Sequence, residues 1–121
     1  MPSANEQRGE VDIEIGGRSW VMRPGFSAVS AIEKQTGKSL IELLQGLQSI
    51  RVTEIAIIIT ECIRASKVTA PPTLDIVGEW IMENGIDSFL MPAATVLQNA
   101  WTGGRKAPAP EPEEGNAEPA A

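Results

Sequence analysis

Four glutamates and one cysteine are the side chains in this sequence that could carry chemistry. Glu79 and Glu83 lie four residues apart, which would place both carboxylates on one face of a helix. Glu33 and Glu42 form a second pair that general acid–base catalysis could use. Carboxylates at helical spacing are more typical of a solvated face, and the chain has no histidine to act as general base or metal ligand. We therefore predict that the protein is not an enzyme and has no catalytic residue, cofactor site or metal site.

Cys62 and the Gly16-Gly17 dipeptide have structural explanations that need no ligand. Cys62 is the only cysteine, so it cannot form an internal disulfide, and its aliphatic neighbours predict a small buried apolar side chain. Gly16-Gly17 precedes Arg18, a composition found in phosphate-binding loops. Neither of the patterns typical of such loops, G-K-[ST] and G-x-G-x-x-G, follows it. A two-residue hairpin turn explains both glycines.

The net charge of −6 bears on partners and location. An acidic surface repels phosphate backbones, so we predict no nucleic-acid binding. The first ten residues are polar and do not form a signal peptide. The longest aliphatic run, Ile55–Ile59, is far shorter than the ~20 residues that span a bilayer. We predict a soluble cytoplasmic protein with no membrane partner.

Residues 9–22 predict a two-stranded antiparallel hairpin. Apolar residues alternate with acidic ones over 11–15, and the two glycines that follow suit a tight turn with positive φ. Folding the chain at this turn sorts the side chains into an apolar and a polar face. The predicted apolar pairs are Ile13 with Trp20 and Val11 with Met22. Because an isolated hairpin is marginally stable in water, this face must rest on helices.

Five helices are predicted after Pro24-Gly25, each with its own start or stop signal. The predicted signals are Ser27 and Gly37 for a helix over Ala28–Thr36, Ser39 and Glu42 as a capping box, Thr53 for a helix over about Glu54–Ser66, Thr73 with a Schellman ending at Gly85, and Asp87 for a helix to about Trp101 that ends at Gly103-Gly104. Pro92 is an alternative first turn of the last helix. The third helix is apolar on most of its circumference, which indicates a central helix, or one with part of its isoleucine surface facing a partner.

The two ends of the chain differ in composition from its centre. Residues 105–121 contain no leucine, isoleucine, valine or aromatic residue, so they cannot bury enough apolar surface to offset the entropy of ordering. We predict a disordered leader at 1–8, a single α+β domain at 9–102, and a disordered acidic, proline-rich tail at 103–121. The domain is predicted to be a β-hairpin packed on a bundle of four to five short helices. The tail is either a solubilising extension or a partner-binding one.

The order of these motifs resembles a known family. A hairpin, then R-P-x-F, then A-x-x-A-I-E-x-x-T-G-x-S-L is similar to tail assembly chaperones of the gene-transfer-agent type, encoded in the tail-morphogenesis clusters of gene transfer agents and long-tailed phages. The matching residues are Gly9-Glu10-Val11, Gly17-Arg18, Arg23, Pro24, Phe26, Ala28, Ala31, Ile32-Glu33, Thr36-Gly37 and Ser39-Leu40. The resemblance covers roughly residues 9–102 and is specific over 9–40.

This resemblance implies a non-enzymatic chaperone that binds the tape-measure protein, the tail-tube protein or both during virion morphogenesis. Such a chaperone would work in the cytoplasm of the bacterial host and be absent from the mature particle. The alternative is a structural tail subunit or another small regulatory interaction module. Family labels have also used the term tail tube, but tube subunits are β-rich, and the helical pattern after residue 26 favours the chaperone.

We predict a partner-binding surface on the third and fifth helices. An apolar partner needs a complementary apolar surface on a soluble, negatively charged body. The residues predicted to form this surface are Ile57, Ile58, Leu97 and Trp101. Self-association is a further mode of interaction that such a surface would allow.

Overall fold

The computed structural model of the chain describes residue 5, residues 8–15 and residues 17–103. The elements are β1 (Val11–Ile15), β2 (Arg18–Met22), α1 (Phe26–Thr36), α2 (Leu40–Gln45), α3 (Val52–Ala65), α4 (Leu74–Asn84) and α5 (Ile86–Thr102), with a 3-10 helix, Leu47–Ser49, after α2. The predicted α+β class, a hairpin followed by four to five helices, is confirmed. The predicted leader and tail lie outside the described residues except at positions 5, 8 and 103.

The hairpin has the register that the alternation predicts. Ile13 pairs with Trp20 and Val11 with Met22. Ile13, Trp20 and Met22 are buried, while the intervening acidic side chains of β1 are exposed. Gly17 has a φ of 77°, a left-handed value that an L side chain rarely adopts. The turn glycine and the period-two pattern therefore determine together which face of the hairpin enters the core.

Helix α3 lies at the centre of the fold. It packs against β2, α1, α4 and α5, and every residue from Glu54 to Ile63 is buried. This confirms the prediction of a helix covered on several sides. Cys62 is buried as predicted. At the far end of the chain, the Asn99 side chain donates a hydrogen bond to the Gly9 carbonyl oxygen (3.0 Å), which joins α5 to the start of β1.

Two of the predicted helix starts and two of the predicted helix ends are confirmed. The Glu42 amide donates to the Ser39 hydroxyl oxygen, and the Ser39 amide donates to the Glu42 carboxylate, which completes the capping box of α2. The Ile76 amide donates to the Thr73 hydroxyl oxygen at the start of α4. Gly37 and Gly103 end α1 and α5 in the left-handed conformation that favours glycine.

Three predicted caps are wrong because the helix starts before the residue concerned. Helix α1 begins at Phe26, so Ser27 lies inside its first turn. Helix α3 begins at Val52, so Arg51 holds the N-cap position that Thr53 was expected to hold. The Glu54 carboxylate accepts a hydrogen bond from the Arg51 amide (3.0 Å). Helix α5 begins at Ile86, one residue before Asp87.

The junction of α4 and α5 also differs from the prediction. Gly85 has φ 97° and ψ 136°, which is not the left-handed helical conformation of a Schellman ending. Its amide still donates to the Ile81 carbonyl oxygen (2.8 Å), and α5 starts at the next residue. Pro92 lies inside α5 and not in its first turn. Gly85 is therefore the single residue between the end of α4 and the start of α5.

Candidate interaction surface

The structure separates the four residues predicted to bind a partner. Ile57, Ile58 and Leu97 are buried in the core, where a partner could contact them only if the core opened. Trp101, near the end of α5, is 57% exposed, and its contact with a partner stays a prediction. The pattern of α3 is apolar all round, so periodicity could not show which isoleucines, if any, face solvent.

Helix α4 carries a concentration of exposed apolar side chains that the sequence interpretation missed. Ile76 and Met82 are exposed large apolar residues on its outer side. A groove of about 430 Å³ runs between this helix and the start of α3. It is lined by Val52, Thr53, Ala56, Leu74, Asp75, Gly78, Glu79 and Met82. The signal in the sequence was present, because Ile76 and Met82 lie outside the helical stripe of Val77 and Ile81, which the structure buries.

A second, shallower depression lies beside the first on the same helix. It has a volume of about 280 Å³ and is lined by Asp75, Ile76, Glu79, Trp80 and Glu83. Asp75 and Glu79 line both depressions, which therefore form one continuous surface. We call the two depressions together the α4 surface.

An aromatic pair joins the α4 surface to the hairpin. The ring of Trp80 lies against that of Trp20, with centroids 5.9 Å apart and planes at 41°. The Arg18 guanidinium lies 3.9 Å from the centroid of Trp20, in cation–π geometry. The hairpin and α4 thus share an aromatic contact, in addition to the packing of α4 against α3 and α5.

The α4 surface is acidic as well as apolar. Residues 68–103 contain four carboxylates and no lysine or arginine, whereas all eight cations of the described part of the chain lie within residues 8–67. Three of the four carboxylates, Asp75, Glu79 and Glu83, line the α4 surface. The chain is therefore divided into a nearly neutral first half and an acidic second half. A partner for this surface would be apolar with positive charges around it.

Phe26 is the other prominent apolar feature of the surface. It is the first residue of α1 and is 88% exposed. The first turn of α1 contains no acidic residue and no side chain caps its amides, so the positive end of the helix dipole faces outward there. Phe26 does not line the α4 surface, and the two features are separate patches on one molecule.

Two buried carboxylates fasten α3 to the end of α1. Glu54 accepts from the Arg51 amide (3.0 Å) and pairs with the Lys38 ammonium (2.9 Å). Glu61 accepts from the side-chain amide of Gln35 (2.6 Å) and pairs with Arg64 (3.3 Å). Buried carboxylates are costly unless hydrogen-bonded or paired, and both conditions are met here. The partners of these two glutamates account for their burial.

Glu54 makes the stability of the fold sensitive to acid. Burial by itself raises the pKa of this carboxyl, but the hydrogen bonds from Arg51 and Lys38 favour the charged form and bring the pKa below the ordinary value of 4.5. A carboxyl with a lowered pKa in the folded state stabilises the fold above its ordinary pKa. This contribution disappears as the pH falls through the lowered value.

We therefore expect the free energy of unfolding to fall as the pH is lowered through and below 4.5, and the loss to be smaller in Glu54→Gln. Denaturant unfolding at a series of pH values measures the free energy of unfolding of the unmodified chain and of the Glu54→Gln variant. The pKa of Glu42 is also lowered, by its hydrogen bonds with Ser39, so part of the pH dependence remains in the variant. If the free energy of unfolding fell with pH to the same extent in the unmodified chain and in the variant, Glu54 would contribute nothing to the acid sensitivity.

The remaining reactive groups do not form a site. Burial raises the pKa of the Cys62 thiol to about 12, and the neighbouring Glu61 carboxylate adds to this shift, so the thiol stays protonated at neutral pH. Across residue 5, residues 8–15 and residues 17–103, no cluster of three or more histidine, cysteine, aspartate or glutamate side chains could hold a metal ion. Among the helices of that same part, none combines the length and hydropathy needed to cross a membrane.

A known protein family matches most of the length of the chain. The family model described as phage tail tube protein, GTA-gp10, matches residues 8–103. The chain belongs to this family. The match begins just before the hairpin and ends just after α5, so it includes every element described above. No curated protein and no solved structure matches the chain.

Membership of the GTA-gp10 family corrects the functional prediction. The resemblance to gene transfer agents and phage tails is right, but the assignment as an assembly chaperone is wrong, because the matched family is described as a tail tube protein. The alternative, a structural tail subunit, agrees better with that description. The argument from helical content failed because a fold class does not determine which component of an assembly a chain becomes.

The predicted location and partners change with the function. A tail tube protein is a component of the particle, so the expectation that the chain is absent from the mature particle is wrong. The family description supports tail components, including further tube subunits, as partners. It gives no support to the tape-measure protein as a partner.

Proposed function

We propose that this chain is a structural subunit of a phage-type tail and has no enzyme activity. The observation that carries the proposal is the match of the GTA-gp10 tail tube family over residues 8–103. A tail tube is built from many subunits in contact, so its subunits need surfaces that associate. The α4 surface and Phe26 are two such candidates, because exposed apolar patches of this kind are typical of protein interfaces.

The absence of catalysis is part of the same proposal. The whole chain lacks histidine, and its one thiol is buried with a pKa of about 12. Glu61 accepts a hydrogen bond from Gln35 and Glu54 pairs with Lys38, and these two contacts join α3 to the end of α1. These side chains therefore support a structural role. The proposed partners are further copies of this chain and neighbouring tail components.

Labelling of assembled tails tests the proposed role. An epitope fused to the end of the chain should be detected by gold-conjugated antibody on tails separated from heads, at repeated positions along the tail. The control is the same particle without the epitope. Label found only on unassembled protein in the lysate of producing cells would contradict the proposal.

A further inference from the structure

The α4 surface has a shape and charge that specify what would cover it. Its groove of about 430 Å³ falls within the size range of pockets that bind small ligands, so it is large enough for an aromatic side chain. Its apolar lining includes Leu74 and Met82, and its rim carries Asp75 and Glu79. An occupant must therefore offer a protruding apolar group in a positively charged setting.

The start of α1 meets these requirements on the same chain. Phe26 protrudes with 88% of its surface exposed, at a helix end whose amides are not capped by a side chain. Residues 23–32 contain one cation, Arg23, and no carboxylate, whereas α4 contains three carboxylates and no cation. The uncapped helix end and Arg23 thus complement the acidic α4 surface in charge, and the exposed Phe26 ring supplies the apolar group.

We propose that the groove of the α4 surface binds the start of α1 of a second copy, with Phe26 as the apolar anchor. This inference rests on the proposed function, since it names the surfaces through which tail subunits would associate. Because the anchor and the groove are different patches, the contact is head-to-tail, and each copy keeps one anchor and one groove available. Such contacts produce a ring if the rotation closes and an open chain of subunits if it does not.

Sedimentation velocity of the purified full chain, over a wide range of protein concentration, tests the contact. Met82→Glu places a charge in the groove and should weaken self-association by about tenfold or more. The matched control is Met91→Glu, because Met91 is similarly exposed on a helix (68%, against 64% for Met82) but does not line the groove. Phe26→Ala should weaken self-association to a similar degree. Circular dichroism spectra and melting curves establish that each variant is folded.

A mixing experiment tests the head-to-tail arrangement. Phe26→Ala keeps an intact groove and Met82→Glu keeps an intact anchor, so a mixture of the two should form one-to-one dimers and nothing larger. A contact that pairs groove with groove would not be restored by mixing. Added salt should weaken the association of the unmodified chain, because the complementary charges are screened.

Three results would overturn the inference. They are a chain that stays monomeric at every concentration, equal effects of Met82→Glu and Met91→Glu, and a groove that binds another tail component but not a second copy. Any of these could occur with the chain still abundant in tails, which would leave the proposed function in place. Conversely, head-to-tail association by a chain that is absent from tails would support the inference and contradict the proposed function.

Discussion

Trp20→Ala should lower the free energy of unfolding by about 3–5 kcal/mol, because truncation of a buried tryptophan removes apolar contacts and leaves a cavity. Trp20 is 5% exposed and contacts both the Arg18 guanidinium and the ring of Trp80. Its loss removes the aromatic contact that joins the hairpin to α4. Urea unfolding followed by circular dichroism measures the change.

Trp101→Ala is the matched control for this substitution. Trp101 is 57% exposed on the last turns of α5, so the same truncation should change the free energy of unfolding by about 0.5 kcal/mol or less. A loss below about 0.5 kcal/mol in Trp20→Ala would mean that the hairpin presents its other face to the helices.

Ile58→Ala has the second-largest expected effect, a loss of about 2–5 kcal/mol in the free energy of unfolding. Ile58 lies in the middle of α3 and is fully buried, with α1, α4 and α5 packed around that helix. The substitution therefore leaves a cavity that several elements would have to close. Denaturant unfolding measures the loss.

Ile41→Ala provides the comparison. Because Ile41 is an exposed isoleucine on α2, its truncation should lower the free energy of unfolding by about 1 kcal/mol or less. This pair also tests the placement of Ile58 in the core against the prediction that it binds a partner. If Ile58→Ala left stability unchanged and weakened the binding of a tail component, Ile58 would belong to an interaction surface.

The hairpin was predictable in full because its two determinants are local. Alternation assigns each side chain of β1 to a face, and the glycine turn sets the register, so Ile13 could be paired with Trp20 from sequence. The capping box of α2 was predictable for the same reason, since Ser39 and Glu42 lie three residues apart in one turn. Structure that depends on neighbouring residues is accessible to sequence analysis.

The errors arose where distant contacts decide the structure. The Arg23 amide donates to the Cys62 carbonyl oxygen (2.8 Å), a contact that fixes the chain just before α1 and that no local pattern announces. Helix α1 begins three residues later at Phe26, before the predicted cap at Ser27. Likewise Glu54 caps α3 while it pairs with Lys38, so one side chain serves a local and a tertiary role at once.

The burial of Ile57, Ile58 and Leu97, three of the four residues predicted to bind a partner, has a related cause. An all-apolar helix such as α3 gives no hint of which side is covered, because the covering comes from elements far away in sequence. Helix α4 has a clearer pattern, in which Ile76 and Met82 lie apart from the buried Val77 and Ile81. The amphipathic pattern of α4 therefore indicates which apolar residues reach solvent, and the uniformly apolar pattern of α3 does not.

The copy number of the chain in purified particles tests the central claim most directly. Trypsin cleavage after Lys38 and Arg51 releases the peptide 39–51, which contains no cysteine or methionine and is suited to quantification by mass spectrometry against an isotope-labelled standard. A structural tail subunit should be present in many copies per particle, in a fixed ratio to the other tail proteins. A chain abundant in the lysate of producing cells but far below one copy per particle would contradict the assignment as a tail subunit.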